Sequence, residues 1–304
     1  VPFPSGSGRF NLTAPCGNLR AMVRLDRPRH AFTVDVEDYF HSEDSDSAGW
    51  DRHELRVERS TQTVLELCAE AGVRGTFFVL GWVAERRPGL VRDIAAGGHE
   101  VASHGYGHQF VYDQTPEQFL EDVRRSRGML EDISGEPVMG YRAPYFSIVA
   151  GTPWAHECLA KAGYAYSSSV FPGSNPRYGI PGHDQRPSTV TTPSGDVIRE
   201  VPVTTFHSRF GCGGVYFRAL PYAWFASRIA SLERTGAQAV FYIHPWETDP
   251  GKPSPPGSLG LRLRHSVGVR GAASRLKRLM KDFRFGPLDA GLGLPVADGV
   301  GAGR

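Results

Sequence analysis

Cysteine is scarce in this 304-residue chain: Cys16, Cys68, Cys158 and Cys212 lie far apart and none belongs to a CxxC pair. That spacing argues against a thiolate zinc site or a dithiol redox motif and suits a reducing compartment. Long apolar runs are absent too, so no segment reaches the roughly 18 apolar residues of a spanning helix. Neither sign of charge dominates, with 34 Lys and Arg against 32 Asp and Glu and a formal charge of +2. A near-neutral balance disfavours nucleic acid or an anionic membrane as partner. There is no GxSxG nucleophile elbow. The glycine cluster Gly211-Cys212-Gly213-Gly214 lacks the Lys-Ser/Thr of a phosphate loop. The first thirty residues, beginning with Val1, show no basic-then-apolar signal layout, and on that ground a cytoplasmic location is expected.

Glycine (36) and proline (23) are what the chain has in quantity, a loop-rich content that stays below the disordered range. Between the loops, apolar runs alternate with amphipathic stretches. Strands are predicted at 31–36, 75–80, 99–103, 139–142, 164–170, 197–203 and 239–244. Helices are predicted at 61–71, 88–96, from Pro116 onward, 154–162, 222–234 and roughly 272–283. Thr115 is placed to cap the helix at Pro116, with Gln118 completing a capping box. Cys68 and Cys158 fall on apolar helical stripes and read as core thiols. Residues 173–196 and 249–268 read as long loops. Strand-helix alternation of this kind predicts an α/β fold with a mostly parallel sheet, open or closed into a barrel. In a barrel, catalytic groups gather at the carboxyl ends of strands. Asp35, His104, Arg142 and His244 all lie at or just past such ends.

Four short segments carry chemistry. In Asp35-Val36-Glu37-Asp38, three carboxylates in four residues repel one another unless a cation neutralises them. Strand alternation puts Asp35 and Glu37 on one face. Alone, the segment reads as an acidic solvent-facing loop. In His104-Gly105-Tyr106-Gly107-His108, the two imidazoles share a helical face or converge across a tight loop, and suit zinc or a similar divalent ion. Two surface histidines would look the same. Two histidines plus one carboxylate, with a position left for water, make a recurring catalytic metal site, so the segments count for more together. Arg142 in Tyr141-Arg142-Ala143-Pro144-Tyr145 is placed to pair with a carboxylate. His244, ending the apolar strand Val240-Phe241-Tyr242-Ile243, offers an acid or base near neutral pH, or is simply a core histidine.

In their order these segments resemble the NodB-type polysaccharide deacetylases of carbohydrate esterase family 4. The blocks are Thr33–Phe40, Thr76–Gly81, Gly98–His104 with His108, Tyr141–Phe146 and His244–Glu247. Gly213–Arg218, Tyr242–Pro250, Arg264-His265 and the stretch from Leu276 to Phe285 resemble the bacterial subgroup tied to exopolysaccharide loci. The resemblance implies a distorted (β/α) barrel with about seven strands over residues 30–250, preceded by an irregular lead-in at 1–29. A C-terminal extension at 251–286 is expected to pack on the barrel, with a flexible tail expected at 287–304. It implies hydrolysis of the acetamido groups of an N-acetylated saccharide in exopolysaccharide biosynthesis. Asp35 matches the general base, His244 the general acid and Arg142 the residue orienting the base. Tyr145 supplies a backbone N–H to the oxyanion. His104 and His108 match ligands of a divalent metal, zinc before Co, Ni, Mn or Fe.

Two departures stand out. Val36 sits where many members have a second aspartate, which leaves Glu37 or Asp38 as third ligand. Ser167 sits where the family has an aspartate pairing with the acid histidine, and Glu200, Glu247 or Asp249 are the candidates to replace it. Phe146, Tyr216 and Trp246 are candidates to stack on sugar rings; core packing competes for each of them.

Overall fold

The computed structural model describes residues 30–42 and 47–288. The lead-in expected at 1–29 lies outside the described residues, as does the tail expected at 287–304 from 289 onward; Leu288 is buried, its N–H on Thr76 Oγ1 at 2.8 Å. The elements, in chain order, are β1 (His30–Val36), α1 (Val57–Ala71), β2 (Thr76–Val79), α2 (Gly81–Arg86), α3 (Pro88–Ala96), β3 (Glu100–Ser103), α4 (Pro116–Ser134), β4 (Gly140–Tyr141), α5 (Trp154–Lys161), β5 (Tyr166–Ser167), β6 (Ser188–Thr191), β7 (Val197–Glu200), β8 (Thr205–Phe206), β9 (Phe210–Gly211), α6 (Gly214–Ala219), α7 (Tyr222–Arg234), β10 (Val240–Ile243), α8 (Leu259–Ser266), α9 (Val269–Asp282) and β11 (Phe285–Gly286). None of the described helices is long and apolar enough to cross a membrane.

The main sheet runs β10-β1-β2-β3-β4-β5-β7-β6, with β11 pairing β1 beside this path. From β10 to β7 every pairing is parallel; only β6 turns back against β7. The expected α/β architecture is therefore present, with the sheet curled into a half-barrel whose hydrogen-bonded path stays open.

Strand alternation splits the core in two. Phe32, Val34 and Val36 of β1 face the helix layer with Phe77, Val101, Phe241 and Ile243. Ala31, Phe78, Ala102, Tyr166 and Val240 point into the lumen. Parallel strands covered on both faces read as near-continuous apolar runs, which is why they were visible in the sequence. The lumen is narrow at β4, where a Cβ on Gly140 would lie 2.2 Å from the ring of Tyr166.

Thr115 accepts the N–H of Gln118 and the capping box is complete. Both predicted loops hold structure that composition hid. Strand β6, Ser-Thr-Val-Thr, is an exposed edge without apolar alternation. Helix α8 turns Leu259 and Leu263 outward, 73% and 63% exposed, so its apolar residues do not mark a buried stripe.

His30 opens β1 and is fully buried. Its Nδ1 accepts the N–H of Ala239 at 3.0 Å. Burial lowers its pKa to about 4, even with Glu233 Oε1 3.5 Å from Nε2. The unfolded imidazole titrates near ~6.5, so between those values the unfolded chain takes up a proton that the folded one refuses. Stability from this group is complete above about pH 6.5 and declines as the pH falls toward 4, by up to about 3 kcal/mol. Urea unfolding at pH 7 and pH 5 tests this. The loss between the two is expected to shrink in His30→Asn; an equal loss in the variant would show that His30 does not carry it.

Candidate active site

The register of the sheet builds the site. Val36 pairs with Val79, Val79 with Ser103, Ser103 with Tyr141, and Tyr141 with Ser167. The next residues on β1, β3 and β4 are Glu37, His104 and Arg142, which stand in one row at the carboxyl edge. On the other side of β1, Val34 pairs with Ile243, which brings His244 level with Asp35.

Glu37, His104 and His108 converge, each offering one ligand atom within 4.8 Å of the others. All three are buried. The histidines are joined by a loop, not a helix. Gly105 takes φ +71°, and Tyr106 N–H and Gly107 N–H donate to the Asp122 carboxylate at 2.8 and 3.1 Å. His104 Nδ1 lies 2.8 Å from the carbonyl oxygen of Arg142, so Nδ1 carries the proton and the Nε2 lone pair is left facing Glu37. His108 Nδ1 meets the Tyr145 hydroxyl at 3.1 Å, and His108 Nε2 lies against Glu37 Oε2. Burial penalises the Glu37 charge, but His108, His244 and His104 together hold its carboxyl well below the ordinary range. Burial pushes His104 down to about 4. A neutral imidazole lone pair aimed at a buried carboxylate is repulsive unless a cation lies between them. Glu37 Oε2 has no hydrogen-bond partner among the described residues, so the donor set fits a divalent ion.

Asp38 is not part of this cluster. Its carboxylate accepts the backbone N–H groups of Tyr39 (2.9 Å), Arg56 (2.6 Å) and Val57 (2.8 Å). It closes the amino terminus of α1, where Arg56 itself provides no side-chain cap. Of the two candidate ligands only Glu37 faces the histidines, as alternation from Asp35 favoured.

Asp35 is 2% exposed and takes a 2.8 Å hydrogen bond at Oδ1 from Arg142 Nη1. Arg142 is fully buried and also donates to Thr33 Oγ1, Ser168 O and Ser168 Oγ. It lies over the ring of Phe78, 4.2 Å from the centroid. A lysine presents one charge and no planar fork. Arg142→Lys is therefore expected to leave Asp35 Oδ1 or the Ser168 loop unpaired, costing about 3–5 kcal/mol in stability, and thermal denaturation measures it.

His244 Nδ1 lies 2.8 Å from Glu247 Oε1, and Glu247 is bonded in turn by Arg218 Nε. His244 Nε2 faces Asp35 Oδ2 at 4.0 Å and Glu37 Oε1 at 3.6 Å. Burial opposes its protonation, but Glu37, Glu247 and Asp35 outweigh burial and raise it to about 9. Burial likewise opposes the Glu247 charge, while Arg218 and His244 hold it down to about 2. Of the replacements considered for the family aspartate, Glu247 is the one in contact. Glu200 is engaged by His156 and by the N–H groups of Ser169 and Val170. Asp249 forms a two-point pair with Arg56. Ser167 Oγ donates to Ser169 Oγ at 2.8 Å, and its side chain also meets Glu200 rather than His244.

Asp35, Glu37, His104, His108, Tyr145 and His244 line one cavity of about 160 Å³, of the same order as the roughly 150 Å³ hole that admits benzene in an engineered core. Phe146, Tyr216 and Trp246 line it as well. Trp246 is stacked between the rings of His244 (5.2 Å, 17°) and His265 (4.2 Å, 3°), and Phe146 is 7% exposed. Packing and pocket wall are thus the same residues here. Tyr145 and Phe146 take left-handed backbone angles, φ 56° and 52°, as does His108 at 51°. Bulky residues hold that conformation only where their surroundings dictate it, and such strain clusters at functional sites. Sequence reasoning missed Arg218, His41, Ser42 and His265 as pocket residues. Arg218 and His265 lie in blocks quoted for the resemblance without a site role, and His41 and Ser42 follow closely after Glu37 with no motif of their own.

Residues 47–167 match the family described as "Polysaccharide deacetylase", and residues 168–292 match "Domain of unknown function (DUF3473)". A chitooligosaccharide deacetylase from Bradyrhizobium sp. is 26% identical over 193 residues, 61% of this chain and 82% of the relative. A peptidoglycan-N-acetylglucosamine deacetylase from Bacillus cereus is 29% identical over 98 residues, 32% of this chain and 36% of the relative. A crystal structure of a Mycobacterium smegmatis protein superposes with a TM-score of 0.60 at 22% identity over 84% of this chain and 82% of that one. At that identity the likeness shows the fold. The border between the two matched segments falls at Ser167, inside the sheet: β7 beyond it pairs with β5 before it, and β10 pairs with β1.

Proposed function

We propose that this chain, which carries a polysaccharide deacetylase domain followed by the DUF3473 segment, is a metal-dependent N-deacetylase of an N-acetylated saccharide in exopolysaccharide biosynthesis. The observation that carries the reading is the meeting of three kinds of group in one cavity. Glu37, His104 and His108 form a ligand set; Asp35 and His244 flank it with Oδ2 and Nε2 4.0 Å apart. Glu37, His104 and His108 would hold zinc or a similar ion. When bound, that ion polarises the amide carbonyl and lowers the pKa of water to about 7.

The chain's own residues move the protons. Asp35, fixed by Arg142 at Oδ1, takes the proton of the attacking water at Oδ2. The water oxygen bonds to the amide carbon. His244, protonated at Nε2 and oriented through Nδ1 by Glu247, gives its proton to the nitrogen as the carbon–nitrogen bond breaks. Acetate and a free amine result. Tyr145, in its left-handed turn on the cavity wall, is the residue we assign to the oxyanion. The acetamido-sugar names of the relatives support the substrate class, and the blocks around Gly213–Arg218 and Arg264-His265 support the exopolysaccharide setting. The contact of Glu247 with His244 supplies the carboxylate that Ser167 lacks, which supports His244 as a working acid.

Acetate release from N-acetylglucosamine oligomers and from crude exopolysaccharide tests the proposal. Release is expected from the wild type, and loss with a chelator, in His104→Ala and in His244→Ala. Release that survives chelator and His104→Ala would sink the metal mechanism.

A further inference from the structure

The loop leaving β1 carries two polar atoms that the mechanism does not use. His41 and Ser42 are 3% and 7% exposed, and both line the cavity. His41 Nε2 and Ser42 Oγ are buried, and neither has a hydrogen-bond partner among the described residues. A buried polar group left unmet is costly, and both atoms belong to residues that line the cavity, so a ligand there can supply their partner.

The chemistry of that partner follows from the tautomer of His41. Its Nδ1 accepts the N–H of Asp38 at 2.9 Å. A neutral imidazole with an accepting Nδ1 carries its proton on Nε2. Nε2 is thus a donor, which rules out His41 as an additional metal ligand in this arrangement. The ring is fixed by packing: Trp50 lies 4.3 Å, Phe40 4.6 Å and Trp82 5.0 Å from its centroid. On the open side the ring of His108 stands 6.0 Å away. A rigid N–H donor beside a rotatable hydroxyl, next to the ligand cluster, suits an oxygen that accepts from one group and exchanges a hydrogen bond with the other.

We propose that His41 Nε2–H and Ser42 Oγ form a subsite that binds a hydroxyl or ring oxygen of the saccharide and sets its register against the metal cluster. The inference rests on the deacetylase reading, and the test separates the two. The probes are 4-nitrophenyl acetate, which has no sugar, and a set of N-acetylglucosamine and N-acetylgalactosamine oligomers, used as substrates and as inhibitors of ester turnover. The proteins are the zinc-loaded wild type, His41→Phe and Ser42→Ala, each checked for zinc content.

Expected are unchanged zinc content and ester turnover in both variants. For the oligomers, KM or the inhibition constant rises about tenfold in His41→Phe and about threefold in Ser42→Ala, with kcat much less affected. Equal KM in wild type and variants would overturn the subsite. Ester turnover without response to any oligomer would overturn it as well. Absence of ester turnover in the zinc-loaded wild type would instead strike the deacetylase reading, and the subsite would fall with it. If His41→Phe loses zinc or folds poorly, Ser42→Ala decides alone.

Discussion

Glu37→Gln is expected to abolish stoichiometric zinc binding and to cut acetate release more than about a hundredfold, whereas Asp38→Asn keeps the metal. Loss of groups that merely orient a metal ligand costs about 10–100-fold, so loss of a ligand costs more. Among the described residues, Glu37 is the one carboxylate in the cluster with His104 and His108. Glutamine there presents a neutral oxygen to a cation and leaves both imidazoles without their counter-charge. Asp38 serves the fold. An asparagine oxygen cannot satisfy the three backbone N–H groups that its carboxylate accepts. Asp38→Asn is therefore expected to lose about 1–3 kcal/mol of stability with zinc stoichiometry intact. Zinc titration and urea denaturation of the two variants check this, and zinc lost from Asp38→Asn but kept by Glu37→Gln would reverse the assignment.

Glu247→Gln is expected to lower kcat by about two orders of magnitude or more, the lower end of what a positioned acid contributes. It is also expected to draw in the alkaline limb of the pH–rate profile. The sign follows from the charges around His244. Burial lowers its pKa, and Glu37, Glu247 and Asp35 raise it to about 9. Glutamine removes one of the carboxylates that raise it and the charge that fixes Nδ1–H. The pKa falls, the protonated fraction at pH 8 falls with it, and activity begins to decline at lower pH than in the wild type. A cation at Glu37 weakens that residue's pull on His244 and leaves Glu247 with a larger share. An alkaline limb at the same pH in wild type and variant would count against Glu247 as the partner of the acid.

The sequence made the parallel strands legible because both of their faces are buried, and it placed His104, Arg142 and His244 at strand ends, which the structure brings to one edge of the sheet. It could favour Glu37 over Asp38 by alternation and no more. The deciding fact is that the α1 terminus, 18 residues further on, arrives at Asp38. The same limit applied to His244. Glu200, Glu247 and Asp249 were equivalent in composition, and only the turn after β10 brings Glu247 onto Nδ1. Helix α8 escaped notice because Leu259 and Leu263 face outward, and β6 because an exposed polar edge has no apolar period.

The border at Ser167 has a consequence for how the chain holds together. A protein cut there would keep His104, His108 and Arg142 but lose His244, Glu247 and two neighbours in the sheet, β7 beside β5 and β10 beside β1. The bared rows of N–H and C=O groups would invite association with other chains. What two separate families of sequences record as a junction is, mechanically, the middle of one elastic sheet. The half with His244 and the half with Glu37, His104 and His108 are joined through these strand pairs, and they should melt in a single transition, the free energy of each being conditional on the other.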